Sequence, residues 1–132
     1  MNPLFSVPLS GLALQGKRLA TSASNVANIG STGVRSGIAD TAGDGFVPHR
    51  VLGVAGPQGG VRGESRPINP PSVLRFDPGA PDADAEGLVA RPNVSLEQEM
   101  VTQLQAKQAY KANLKVIQTW SEMVGSLFDV KS

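Results

Sequence analysis

Near both ends of the chain, apolar or small residues recur at alternating spacings of three and four positions. This spacing is that of one face of an α-helix. The N-terminal repeat begins at Leu9 and ends at Gly30, and the C-terminal repeat runs from Leu96 to Phe128. The pattern therefore predicts a helix at each end, the first capped by Ser6 with Pro8 in its first turn.

The C-terminal pattern also predicts where its helix begins. Pro92 is the last proline of the chain, and Ser95 is followed three residues later by Gln98. Ser and Gln at this spacing form a capping box. We therefore expect a helix from Leu96 to Phe128, which at 1.5 Å per residue is about 50 Å long.

A compact domain of this size has a diameter of only about 36 Å, so the C-terminal helix must overhang it. An overhanging helix with an apolar seam needs a partner surface to cover that seam. We expect the N-terminal helix to cover only part of this seam and the remainder to meet neighbouring molecules. The expected contact residues are Leu12, Leu19, Ala23, Val26, Met100, Tyr110, Leu114, Ile117, Trp120, Val124, Leu127 and Phe128.

The middle of the chain has the composition of strands and turns. Twelve of the fifteen Gly and eight of the ten Pro lie between Gly30 and Pro92. Short strands are predicted at 46–47, 50–54 and 72–76, too few for a large independent core. The predicted fold class is α+β. Its predicted parts are an N-terminal helical segment (1–33), a small antiparallel β module (34–92) and a C-terminal helical segment (93–132).

Composition narrows the possible functions. The absence of Cys excludes thiolate metal sites and a Cys nucleophile, and the single histidine, His49, excludes a two-His site within one chain. No catalytic motif or phosphate-binding loop is present, so we expect neither an enzyme nor a cofactor site. A net charge of +1 gives no footprint for nucleic acid. No apolar run is long enough for membrane insertion, and the N-terminus does not resemble a cleavable signal peptide.

Acidic residues are concentrated between Asp77 and Gly87. Asp82, Asp84 and Glu86 mimic the opening of a calcium loop, although its twelfth position is Asn93 rather than a bidentate Glu. A small calcium-dependent binding module is therefore the alternative function. The favoured interpretation is a turn-rich loop in which Asp side chains bind nearby backbone N–H groups.

A row of like charges crosses the predicted C-terminal helix at Lys107, Lys111 and Lys115. Positions four apart lie on one helix face. A solvated face is the favoured interpretation, and contact with an acidic partner surface is the alternative.

Three motifs resemble those of bacterial flagellar axial proteins of the rod and hook. They are S-N-V-A-N at 24–28 with T-G at 32–33, then E-Q-E-M-V at 97–101, and Q-A-Y-K-A-N at 108–113. Residues 77–94 further resemble the proximal-rod branch of this family. A distal-rod or hook-type relative is the nearer alternative, which this pattern and the short chain disfavour.

The resemblance implies a structural subunit of the proximal basal-body rod, a tubular helical shaft that transmits torque. Its partners would be other rod proteins and further copies of itself. It also implies passage through the flagellar type III export apparatus without a cleaved signal, and a final location in the periplasmic rod. The N- and C-terminal helices would pack as a coiled coil that lines the tube, and the β module would lie outside it.

Overall fold

The computed structural model describes residues 3–33, 45–57 and 59–129 of the chain. Two helices, α1 (Pro3–Ala27) and α2 (Leu96–Asp129), flank four strands in the described residues. The strands are β1 (His49–Ala55), β2 (Val61–Pro67), β3 (Ser72–Phe76) and β4 (Leu88–Pro92). Two packed helices with small antiparallel sheets confirm the predicted α+β class, whereas the predicted boundary at residue 34 lies outside the described residues.

Helix α2 agrees with its predicted bounds to within one residue at the C-terminal end. The Ser95 hydroxyl accepts the backbone N–H of Gln98 at 3.3 Å, as expected of an N-cap. The capping box predicts a second contact from the Gln98 side chain back to Ser95. The structure instead pairs Ser95 with Glu97, whose carboxylate accepts the Ser95 hydroxyl at 2.7 Å. This hydrogen bond lowers the pKa of Glu97 below its ordinary value.

Helix α1 begins earlier than predicted. It begins at Pro3, so Ser6 is not its N-cap and Pro8 lies inside the helix. A proline near the start removes a single helical hydrogen bond. The ring of Pro8 is buried, and that burial helps to stabilise the early turns.

Strands β1 and β2 form an antiparallel hairpin, with His49 opposite Pro67 and Ala55 opposite Val61. Its turn contains Gly59 and Gly60, which both have positive φ. At Gly60 a Cβ would stand 2.5 Å from Ser10 Oγ. Glycine is therefore required both by the lack of space and by the positive φ. Ser10 Oγ also accepts the N–H of Val61 at 3.0 Å, which fastens the hairpin turn to α1.

Strands β3 and β4 form a second antiparallel pair, with Ser72 opposite Pro92 and Phe76 opposite Leu88. The turn that joins them behaves as predicted. Asp84 Oδ1 accepts the backbone N–H groups of Glu86 at 3.0 Å and of Leu88 at 2.8 Å. An isolated bridge between Gly33 and Ala90 ties the segment after α1 to β4.

The strand predictions were right in part. Predicted strands 50–54 and 72–76 correspond to β1 and β3, whereas 46–47 is not a strand. Pro48, which follows it, has no N–H to donate, and pairing begins only at His49. Strands β2 and β4 were not predicted, because Gly, Pro and charged residues interrupt them and their pairing partners decide their structure.

The apolar core is small. Its buried apolar members among the described residues are Leu14, Val89, Ala90 and Ala106. Leu14 of α1 lies against the hairpin, where Gly53 and Gly63 provide room for its methyl groups. The hairpin and α2 therefore pack on the same helix, and most of the surface of the helix pair lies outside this core.

Candidate assembly interface

The two helices run antiparallel, in contact from one end of α1 to the other. At one end the rings of Phe5 and Trp120 meet edge to face, with centroids 4.3 Å apart and an interplanar angle of 71°. At the other end Asn25 of α1 lies beside Glu99 of α2. This alignment leaves the last turns of α2, after Trp120, largely beyond the reach of the described part of α1.

Near its middle the pair approaches closely because Gly11 has no side chain. A Cβ at Gly11 would lie 2.7 Å from Asn113 Oδ1, far closer than van der Waals contact. Asn113 cannot turn away freely, since its Nδ2 donates to the Ala109 carbonyl at 2.9 Å. Gly11 therefore allows the two helices of the same chain to approach each other closely at this point.

Toward the start of α2, the helices are joined by polar side chains, which we call the polar junction. The Asn25 Nδ2 donates to Glu99 Oε1 and to the His49 carbonyl, both at 2.7 Å, and its Oδ1 accepts the His49 N–H at 3.1 Å. Ser22 donates to the Glu99 carbonyl at 3.3 Å and accepts from Gln103 at 3.2 Å. Asn25 and Ser22 are each only 2% exposed, so α1, α2 and β1 meet around two buried polar residues.

The same helices leave many large apolar side chains exposed. Leu104 is 66% exposed and Leu127 is 70% exposed, and large exposed apolar patches mark interaction sites. Both helices contribute to this exposure, and β3 contributes Leu74 and Phe76. The remaining exposed large apolar residues of the helices are Val7, Leu9, Leu19, Leu96, Met100, Val101, Tyr110, Leu114, Val116 and Met123.

The predicted contact residues divide between exposed and half-buried positions. The exposed members are Leu19, Ala23, Met100, Tyr110, Leu114 and Leu127. The half-buried members are Leu12, Val26, Ile117, Trp120 and Val124, and the side chain of Phe128 lies outside the described residues. Trp120 contacts Phe5 within the chain, so its role includes intramolecular packing.

The face of α2 that meets α1 differs from the apolar seam predicted from the sequence. It includes Glu99, Ala106 and Asn113, each of which directly precedes a position of the predicted seam. In α1 several of the buried positions are likewise small or polar, as at Gly11, Gln15 and Ser22, whereas Leu14 is the large apolar residue buried there. Sequence reasoning missed the polar junction because Asn and Ser ordinarily indicate a solvated helix face.

Sequence reasoning missed several of the exposed apolar residues. Leu104 lies just outside the predicted seam, and Leu74 and Phe76 lie on β3. The fold determines which of these residues remain uncovered.

Two of the three acidic residues of the calcium alternative, Asp82 and Asp84, are engaged in contacts within the chain. Asp82 Oδ2 accepts the Thr32 hydroxyl at 2.8 Å, and Asp84 holds the turn. No group of three or more His, Asp or Glu residues converges on a possible metal position in the described residues. The contacts of Asp82 and Asp84 give the calcium alternative no support.

The length and polarity of the helices bear on membrane insertion. Within residues 3–33, 45–57 and 59–129, no helix combines the length and the apolar character needed to cross a bilayer.

Comparison with known proteins agrees with these features. The family model "Flagellar basal body rod FlgEFG protein C-terminal" matches residues 85–130, which include β4 and α2. The matched region thus includes the helix that packs against α1 and leaves large apolar residues such as Leu104 and Leu127 exposed. This match relates the C-terminal part of the chain to flagellar rod proteins.

Curated relatives define the family within that class. The chain is 38% identical to flagellar basal-body rod protein FlgC from Salmonella typhimurium strain LT2, with 92% of this chain and 90% of the relative covered. It is 36% identical to FlgC from Agrobacterium fabrum strain C58, with 98% and 96% covered. A third relative, FlgC from Yersinia enterocolitica, is 37% identical over 92% of this chain and 90% of its own. The chain belongs to the FlgC family of flagellar basal-body rod proteins.

Proposed function

We propose that this chain is a structural subunit of the proximal rod of the flagellar basal body. It assembles there with other rod proteins and with copies of itself into a tubular helical shaft that transmits torque. The observation that carries the proposal is the antiparallel helix pair, which buries few apolar side chains and, in its described part, leaves twelve large apolar residues exposed. Burial of exposed apolar area is the main driving force of association, so these residues favour contact with neighbours.

The proposed contacts use both seams. On α1 they involve Leu12, Leu19, Ala23 and Val26. On α2 they involve Met100, Tyr110, Leu114, Ile117, Trp120, Val124, Leu127 and Phe128. The small apolar core supports this proposal, because a chain that buries little by itself gains stability when neighbours cover it.

The proposed parts of the chain are a helical part, which forms contacts in the shaft, and a β module. Residues 1–33 and 93–132 form the helical part of the shaft wall, and residues 34–92 form the outer β module. The chain acts by contact rather than catalysis, without a cofactor, nucleic acid or insertion into a membrane. It reaches the periplasmic rod through the flagellar type III export apparatus, without a cleaved signal peptide.

The proposal is tested by placing a charge on the uncovered face. Leu114→Asp and Leu127→Asp change residues that are 45% and 70% exposed in the isolated subunit. Their effect on the stability of the lone chain is therefore small, whereas a charge buried between subunits is strongly unfavourable. We expect both variants to be missing from purified basal bodies and to abolish swimming.

Thr119→Asp is the matched control, because Thr119 is exposed on the same helix and is already polar. This variant is expected to enter basal bodies at the wild-type level. Circular dichroism of the isolated subunits checks that all three variants keep their helix content. Normal rods built from Leu114→Asp and Leu127→Asp subunits would contradict the proposal.

A further inference from the structure

The charges of this chain are segregated along α2 and the turn that precedes it. Residues 77–99 carry six acidic residues and one basic residue, Arg91. Residues 100–121 carry three lysines and no acidic residue. A strongly acidic segment is therefore followed directly by a basic helical one.

The lysines lie on the side of α2 that faces away from α1. Lys111 is two residues from Asn113, which contacts Gly11 of α1. Two residues correspond to about 200° around a helix, so Lys111 points to the opposite side. Lys107 and Lys115 lie one turn before and after it, and all three are exposed.

Apolar residues continue this outer face toward the start of α2. Met100 is 57% exposed and Leu104 is 66% exposed. No carboxylate in the described part of the chain pairs with Lys107 or Lys111. We call this surface the basic face, and it consists of Met100, Leu104, Lys107, Lys111 and Lys115.

A surface with the opposite charge and its own apolar patch lies on the β3–β4 pair. Leu74 is 51% exposed and Phe76 is 73% exposed. The ring of Phe76 lies against the ends of the acidic turn, since a Cβ at Gly87 would stand 3.0 Å from its Cε2. We call this surface the acidic end, and it consists of Leu74, Phe76, Asp82, Asp84 and Glu86.

We infer that the basic face of one copy docks the acidic end of a second copy. Each surface combines exposed apolar residues with a net charge, and the two charges are opposite. Pairing the basic face with itself would bring lysines together, and pairing two acidic ends would bring carboxylates together. Such like-charge contacts oppose both self-pairings.

The two surfaces occupy different places on one chain, so the contact is heterologous. Each copy then offers an unused basic face or an unused acidic end to the next copy. A heterologous contact that does not close into a ring produces an open, polar array. This inference rests on the proposed function, because it specifies one contact by which copies meet within the rod.

The test is a charge exchange on the full-length chain, followed by sedimentation of the isolated subunit at millimolar concentration and low salt. One variant carries Lys107→Glu, Lys111→Glu and Lys115→Glu, and the other carries Glu86→Lys, which changes an exposed carboxylate of the acidic end. Each variant alone is expected to associate about tenfold more weakly than the wild type.

Mixing the two variants is expected to restore association, because an acidic helix face then meets a lysine-bearing end. The triple Lys→Arg variant is the matched control and keeps wild-type association. The triple Glu variant retains the like-charge spacing of the lysine row, so its intrinsic helix repulsion is similar to that of the wild type. Raising the salt concentration weakens the wild-type contact, because salt screens exposed charges.

Three outcomes would overturn the inference. One is a wild-type chain that stays monomeric, another is a triple Glu variant that associates normally, and the third is a mixture that fails to recover association. The last result would indicate that the basic face meets a different protein or solvent. Incorporation into basal bodies is scored separately, since its presence supports the proposed function whichever way the sedimentation result falls.

Discussion

Asn25 of α1 donates a 2.7 Å hydrogen bond from Nδ2 to Oε1 of Glu99 on α2. The same amide also holds the backbone of His49 at the start of β1, through both its donor and its acceptor atoms. One buried side chain therefore fixes the relative positions of two helices and a strand. Because few apolar side chains are buried, the hydrogen bonds of Asn25 are important for holding α1, α2 and β1 in their relative positions.

Asn25→Ala is expected to lower the free energy of unfolding by about 1–3 kcal/mol, since it leaves buried polar groups of His49 and Glu99 without their partner. Urea unfolding followed by circular dichroism measures this change. Asn28→Ala is the control, because the Asn28 side chain, just after α1, donates to the Ser24 carbonyl in the last turn of α1 and that bond is exposed. Equal effects of the two substitutions would contradict a special role for Asn25.

Two glycines of α1 are expected to respond to alanine in opposite directions. Gly11→Ala would place a methyl group against Asn113 and is expected to destabilise the subunit by about 1–3 kcal/mol. Gly16→Ala meets no atom within 4 Å and is expected to stabilise the helix by up to about 1 kcal/mol. Thermal unfolding of both variants measures the difference.

The Gly11 prediction has its own check. Combining Gly11→Ala with Asn113→Ala removes the side chain that the new methyl group would strike. The double variant is then expected to recover part of the stability lost in Gly11→Ala, beyond the sum of the single effects. Strict additivity would mean that the contact with Asn113 is not the cause.

Leu14→Ala is expected to cost about 2–5 kcal/mol, because Leu14 is 6% exposed and fills the space between α1 and the β1–β2 hairpin. Leu9→Ala removes the same atoms from a residue that is 50% exposed, and its cost in the isolated subunit is expected to be much smaller. Hydrogen exchange of the hairpin amides would locate the effect. Unchanged protection in Leu14→Ala would show that the hairpin holds its place without this contact.

The Ser95 cap predicts a measurable change in acidity. The hydrogen bond from Ser95 favours the charged carboxylate and lowers the pKa of Glu97. Ser95→Ala is therefore expected to raise the pKa of Glu97 toward its ordinary value, as followed by NMR titration of its side-chain carboxyl. A lowered pKa in the folded state means that the contribution to stability is present above the unfolded pKa and is lost as the pH falls through the folded one.

Helix α2 was predictable from the amino-acid sequence. A proline-free stretch, a Ser cap and a long apolar repeat are local features, and they determine helix formation without reference to the remainder of the chain. The Asp84 turn was predictable for the same reason, because an Asp side chain reaches backbone N–H groups only a few residues away. The resemblance to flagellar axial proteins likewise rests on short motifs within single segments of the chain.

The strands were less predictable, since β2 and β4 contain residues that weaken isolated strands. Their structure depends on pairing partners, which lie across a hairpin for β2 and, for Ala90 of β4, include Gly33 far away along the chain. A pairing of this kind has no local signal. Only the folded chain brings the two backbones together.

Local patterns along the chain were enough to specify two helices, their apolar repeats and the small Gly- and Pro-rich module between them. Which side of each helix faces inward was settled by the packing of the folded chain. That packing buries Ser22 and Asn25 and leaves Leu104 and Leu127 exposed. The physical reason is that an apolar repeat specifies a surface that needs covering, whereas the geometry of the helix pair decides whether this chain or a neighbour covers it.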